Sequence, residues 1–110
     1  MEKEPKPVGY SVAFKQDLIN VYLYGVETFG KLQAEYYQEN IYRILEGLGH
    51  SYLMYAECKH LPTKSKMYRW IILSAHLIIY RITENEIQVL RMIHSRKSIT
   101  KIRASRSIKF

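Results

Sequence analysis

Residues 76–94 decide the fold: His76-Leu77-Ile78-Ile79-Tyr80-Arg81-Ile82, then Thr83-Glu84-Asn85-Glu86, then Ile87-Gln88-Val89-Leu90-Arg91-Met92-Ile93-His94. Two apolar runs, Ala75 to Ile82 and Glu86 to Ile93, flank a short polar turn. Each is too short for a typical helix and rich in residues that fit a pleated strand, so the pair reads as a β-hairpin. With Glu84-Asn85 as a two-residue turn, Ile82 faces Ile87, Tyr80 faces Val89, Ile78 faces Arg91 and His76 faces Ile93. Leu77, Ile79, Leu90 and Met92 then share the other face. A sheet apolar on both faces needs cover on one side and partial cover on the other.

Upstream, Met67 to Leu73 gives a third strand signal. His50 to Lys66, with Pro62 and Lys64-Ser65-Lys66, reads as a loop carrying at most a short edge strand. Val8, Tyr10, Val12 and Phe14 alternate with small residues, the period of an N-terminal strand. From Lys15 the period becomes helical, and Leu18, Val21, Tyr22 and Gly25 overlap a second seam of Ile19, Tyr22, Leu23 and Val26. So wide an apolar surface predicts contact with two neighbours. Thr28-Phe29-Gly30 breaks this helix, and a second runs from Lys31 to Leu48. Ala34, Tyr37, Ile41, Ile44, Leu45 and Leu48 face inward there, while Glu39 and Arg43 form an exposed pair and Gly47 and Gly49 supply the stop. The expectation is an α+β, two-layer β-α-α-β-β-β fold, its N-terminal strand and helical hairpin packed on an antiparallel sheet. Residues 1–7, with two prolines, form a disordered lead; 8–97 form the domain; 98–110 form a basic C-terminal arm.

At 110 residues and 47% hydrophobic content the chain makes one globular domain. Its longest apolar run, Trp70 to Tyr80, is interrupted by Ser74 and His76 and falls short of membrane-spanning length. The first residues lack the apolar core of a signal peptide. A lone Cys58 suits a reducing cytoplasm. The formal charge is +7, from 17 basic and 10 acidic residues. Residues 1–90 sum to zero, so the excess lies wholly in Arg91, Arg96, Lys97, Lys101, Arg103, Arg106 and Lys109. Lys101, Arg103, Arg106 and Lys109 are therefore candidates to hold a polyanion, against the plainer reading of a solubilising tail.

Chemistry is sparse. Cys58-Lys59-His60 has the wrong spacing for zinc and no second pair follows, so no metal or cofactor is expected. Glycine-rich phosphate loops, nucleophile–base pairs and paired carboxylates are absent from the sequence pattern, and no catalytic residue is assigned. What remains is a basic set near the sheet: Arg69, His76, Arg91, His94, Arg96 and Lys97. Such a set serves target binding, or metal-free RNA cleavage if a base and an acid join it. Arg81 is expected to pair with Glu57, Glu84 or Glu86. Of the tyrosines, Tyr22, Tyr37 and Tyr80 lie at core spacing, leaving Tyr52, Tyr55 and Tyr68 for recognition.

Asp17-Leu18, then Phe29-Gly30-Lys31-Leu32-Gln33-Ala34 and Tyr37, then Tyr68-Arg69 and the two strands of residues 76–94 together resemble the ParE branch of the RelE/ParE toxin superfamily, from Tyr10 to Lys97. The resemblance implies a toxin of a type II toxin–antitoxin module that poisons DNA gyrase, blocks replication and inhibits growth, a plasmid-stabilising activity. It implies a ParD-like antitoxin partner whose helical segment lies between the helical hairpin and the sheet. Operator DNA is contacted only through that hetero-oligomeric complex. The implied toxin is a binding inhibitor, cytoplasmic, with no membrane partner. RelE-like relatives instead cut mRNA on the ribosome, and an inactive homologue would only bind antitoxin. By position, Arg91, His94 and Arg96 match the end of the family's last strand. Two departures stand out: Ser98 occupies a place where relatives often carry an acid, and the Tyr52–Cys58 region lacks their Asn-Pro and Gly turn.

Overall fold

The computed structural model describes residues 4–96 and 99–110. In chain order the elements are β1 (Val8–Tyr10), α1 (Val12–Phe29), α2 (Lys31–Ser51), β2 (Tyr68–Ile72), β3 (His76–Ile82), β4 (Ile87–His94) and α3 (Ile99–Ala104), followed by a 3-10 turn over Ser105–Ser107. The α+β, two-layer arrangement matches expectation, with one further helix at the C-terminus.

The N-terminal strand ends at Tyr10, not at Phe14. Ser11 stops it: its Oγ accepts the Phe14 N–H at 2.8 Å and donates to the Leu90 carbonyl at 2.6 Å, so one buried hydroxyl caps α1 and ties it to β4. Val12 consequently points to solvent while Phe14 enters the core from a helix. The break between helices is Gly30 alone. Its φ of +90° suits glycine, its N–H bonds Val26 and its carbonyl accepts from Ala34. Helix α1 packs on both α2 and β4, as its broad apolar surface requires.

Gly47 and Gly49 do not terminate α2, which continues to Ser51. Gly49 instead lets the N-terminal lead approach. The Lys6 N–H donates to the Gly49 carbonyl at 3.1 Å, and a Cβ at Gly49 would collide with the Lys6 carbonyl. Lys6 Nζ also reaches the Thr83 carbonyl at 2.6 Å, and the Pro7 carbonyl accepts from Ile87. The described part of the lead is thus bound to the domain. On α2 the ion pair observed is Lys31–Glu35 at 3.8 Å, both exposed, in place of Glu39–Arg43.

The strand order is β1-β4-β3-β2. Strands β2, β3 and β4 are antiparallel, but β1 runs parallel to β4, so the sheet is mixed. No tight turn joins β1 to β4; the helical hairpin and two strands intervene, which frees the pairing from the antiparallel rule. The hairpin register holds through Ile82↔Ile87 and Tyr80↔Val89, then shifts at a bulge. Beyond it Ile79 pairs Arg91, Ile78 pairs Met92, Leu77 pairs Ile93 and His76 pairs His94. One extra residue exchanges faces: Met92 joins the helix-side core and Ile93 the outer one.

Two cores result. Phe14, Ile41, Leu45, Leu48, Ile78 and Tyr80 fill the space between helices and sheet. On the outer face Cys58, Leu61, Tyr68, Leu77, Ile79, Leu90 and Ile93 are covered by Ile102, with Ile108 packed alongside. The loop before β2 adds to this cover, its Glu57 bridging Arg69 and its Cys58 N–H bonding the Tyr68 carbonyl. The last residues are therefore the second lid of the sheet. Arg81 fastens them, donating to the carbonyls of Arg106 at 3.4 Å and Ile108 at 3.0 Å. No helix among the described residues is long and apolar enough to cross a membrane.

Candidate functional site

Between the helical hairpin and the open end of β3 and β4 lies a cavity of about 320 Å³. Val21 and Tyr24 of α1, Phe29, and Gln33, Ala34 and Tyr37 of α2 form its walls; Ser74, Ala75, His76 and His94 form its floor. The helices approach closely at Gly25 and Ala34, where a Cβ on Gly25 would stand 3.3 Å from that of Ala34. Ser74 and Ala75, both small, leave the floor open. Tyr24 and Phe29 stand at the rim, 63% and 67% exposed. Val21, Tyr24, His76 and His94 also line a second hollow, which carries the groove on to Asp17, Asn20, Arg91 and Lys101.

The floor is a short aromatic chain. Tyr37 Oη and His76 Nδ1 share a hydrogen bond of 2.8 Å, and the His76 and His94 rings meet edge to face with centroids 5.3 Å apart. Burial, and secondarily His94, push the His76 pKa below its ordinary 6.5. Burial likewise raises that of Tyr37. Both shifts favour the uncharged forms of His76 and Tyr37 at neutral pH. Such a groove accepts apolar side chains along its walls and one polar group at its end.

His76 and His94 are brought together at this floor, with Arg91 in the adjoining hollow. Arg91 is committed to Asp17 through Nε–Oδ2 at 2.7 Å and Nη2–Oδ1 at 3.0 Å. Arg96 is exposed beside His94, its N–H donating to His94 Nδ1 at 3.2 Å. Arg69 stands apart from them. Its guanidinium donates to the carbonyls of Lys66, Leu53 and Tyr55, pinning the loop against β2. Lys97 lies outside the described residues. Lys101, Arg103, Arg106 and Lys109 are all exposed on the C-terminal segment.

Several expected partners differ. Arg81 bonds Gln88 and the C-terminal carbonyls, not Glu57, Glu84 or Glu86. Tyr68 is buried beneath Arg81 and Arg106, and Tyr52 and Tyr55 pack against the helix-side core, so these three are not free for recognition. Tyr37, expected at core spacing, packs against the helix-side core and also lines the groove, whereas the sequence does not single out Tyr24 and Phe29 for a groove, because helical spacing does not distinguish a core stripe from a cleft wall. Among the described residues no group of three or more His, Cys, Asp or Glu converges as a metal site.

Over residues 8–99 the sequence matches the family described as the ParE toxin of type II toxin–antitoxin system, parDE. No curated protein matches it. Among solved structures, the fold is similar to a chain of the chromosomal ParDE toxin–antitoxin system from P. aeruginosa, with a TM-score of 0.66 and 20% identity over 81% of this chain and 95% of that one. It is also similar to a chain of the RelBE2 toxin–antitoxin complex from Mycobacterium tuberculosis, with a TM-score of 0.59 and 16% identity over 83% and 99% of the two chains.

Proposed function

Because this chain belongs to the ParE toxin family of type II toxin–antitoxin systems, we propose that it acts in the cytoplasm as a binding inhibitor of DNA gyrase, trapping the enzyme on cleaved DNA, and that a ParD-like antitoxin silences it. The observation that carries the inhibitor reading is the commitment of one polar group of the site. Arg91, the arginine that an RNA-cleaving site would turn on the phosphate, is instead held by Asp17 through two hydrogen bonds. The groove supports the antitoxin reading. An amphipathic helix would lay residues at i, i+3, i+4 and i+7 against Val21, Tyr24, Ala34 and Tyr37. His94 and Arg96, exposed at the groove's end, are the residues proposed to meet the target, and the operator sequence is recognised only through the antitoxin complex.

The test is purified protein with gyrase, ATP and supercoiled plasmid, scored for linear DNA after detergent and protease. Linear DNA that accumulates with toxin and disappears when antitoxin is added is the expected result. Unimpaired supercoiling with folded protein would overturn the gyrase assignment. Cleaved mRNA on toxin-treated ribosomes would then place the chain with the ribosome-dependent nucleases.

A further inference from the structure

From the C-terminal lid we infer that this protein carries a preformed binding site for the phosphodiester backbone of duplex DNA, made by Lys101, Arg103, Arg106 and Lys109. The inference does not depend on gyrase being the target. Its first support is rigidity. Ile102 is 5% exposed, Ser105 is 1% exposed, and both alternate along the segment with the outward-facing bases. Arg81 clamps the segment from below through two backbone carbonyls, and the Arg106 guanidinium lies 5.9 Å from the Tyr68 ring centroid. A tail held this way presents its charges without the ordering cost that a flexible basic tail meets on binding.

Charge is the second support. Every acid of the sequence lies before residue 91. Among the described residues neither ion pair involves the lid: one is Lys31–Glu35 and the other Arg91–Asp17. Asp17, the acid of the hollow that Lys101 lines, is occupied by Arg91 and by the Met92 N–H. Glu86 approaches the far end, where it and Phe110 flank Gly9, and its carboxylate accepts from the Gln88 amide.

The chemistry of the patch selects duplex over single strand. Proteins that hold single strands stack bases on exposed aromatic rings. Here the ring beneath the basic side chains, Tyr68, is buried, and the segment's own aromatic, Phe110, is 52% exposed but stands as a single ring at one end, beside Gly9. Cations on a rigid apolar base, with one ring at the end and no row of rings for successive bases, fit a regular array of phosphates.

Fluorescence anisotropy with a labelled 20-base-pair duplex of arbitrary sequence, from 50 to 200 mM KCl, tests this. Four phosphate contacts predict a slope of about −3.6 in log K against log salt. Changing Lys101, Arg103, Arg106 and Lys109 to Gln is expected to weaken binding at least ~10-fold at the lowest salt and to flatten the slope. A second variant, K101Q/R103Q/K109Q, retains the Arg106 contact with Tyr68 and guards against loss of fold, checked by circular dichroism. The control changes Lys15, Lys31, Arg43 and Lys64 to Gln, removing the same charge from elsewhere. Equal loss in control and lid variants would show binding by net charge alone and overturn the site. Tighter binding of single-stranded RNA with the same phosphate count would overturn the duplex assignment.

Discussion

Arg91 on β4 grips Asp17 on α1 with two parallel hydrogen bonds, and the same Asp17 Oδ2 accepts the Met92 N–H at 3.0 Å. Strand β1 pairs β4 only as far as Val89. Past that point the edge of β4 would be bare, and a helix carboxylate takes the place of the missing strand. The guanidinium that the sequence offers as a candidate target contact is here first a fastener between the two layers.

Asp17→Ala therefore leaves a partly buried guanidinium and a strand N–H without their acceptor. A loss of about 2 kcal/mol in urea unfolding is expected. In a double-mutant cycle with Arg91→Ala, the two changes should cost less together than the sum of their separate effects. Strict additivity would show that the pair contributes nothing as a pair.

His76 sets a pH dependence. Its folded pKa is depressed, so the unfolded chain takes up a proton first as pH falls through the ordinary value of 6.5. This contribution to stability is complete above that value and is lost on acidification, at no more than about 1.4 kcal/mol per pH unit. Thermal midpoints between pH 7.5 and 5.5 should fall less steeply for His76→Asn than for the parent. Parallel curves would reject the assignment.

Tyr80 is fully buried, and its hydroxyl donates to the Tyr52 carbonyl, fixing the exit of α2 to the sheet. Tyr80→Phe should cost about 1–2 kcal/mol through the unpaired carbonyl, and Tyr80→Ala about 3–5 kcal/mol through the cavity. Denaturant midpoints that did not separate the two would show that the hydroxyl is idle.

Two glycines of α2, two residues apart, should respond with opposite signs. Gly47 faces open space, so Gly47→Ala gains helix propensity and stabilises by about 0.5–1 kcal/mol. Gly49 lies against the Lys6 carbonyl, and Gly49→Ala must displace the lead, for a net loss of about 1–2 kcal/mol. Chemical denaturation of both variants decides it; the same sign for both would refute the packing account.

Ile102→Ala should destabilise the domain by about 2–3 kcal/mol, since Ile102 covers the outer core. Removal of residues 99–110 should expose Leu77, Ile79, Leu90 and Ile93 and cause association or unfolding. A monomeric truncation with an unchanged thermal midpoint would return the segment to the status of a tail.

What the sequence determined by itself was local. Period-two runs and the Glu84-Asn85 turn placed β3 and β4, period-3.6 seams placed α1 and α2, and the charge count located every excess cation. Those signals are intrinsic to neighbouring residues along the chain. The tertiary structure decided what distant residues made of them. A bulge near Leu90 sent Met92 and Ile93 to faces opposite to those the alternation implied, because one unpaired residue inverts all that follow it. Ser11 became a helix cap because Leu90 stood ready to take its hydroxyl. Gly49, which looked like a stop, served the approach of Lys6. Ile102 and Ile108, well beyond the end of β4 and in no periodic run of their own, became a lid because the outer sheet face was apolar and the loop before β2 covered only part of it. Burial is a property of the surface a residue meets, and that surface was built by residues up to the length of the domain away.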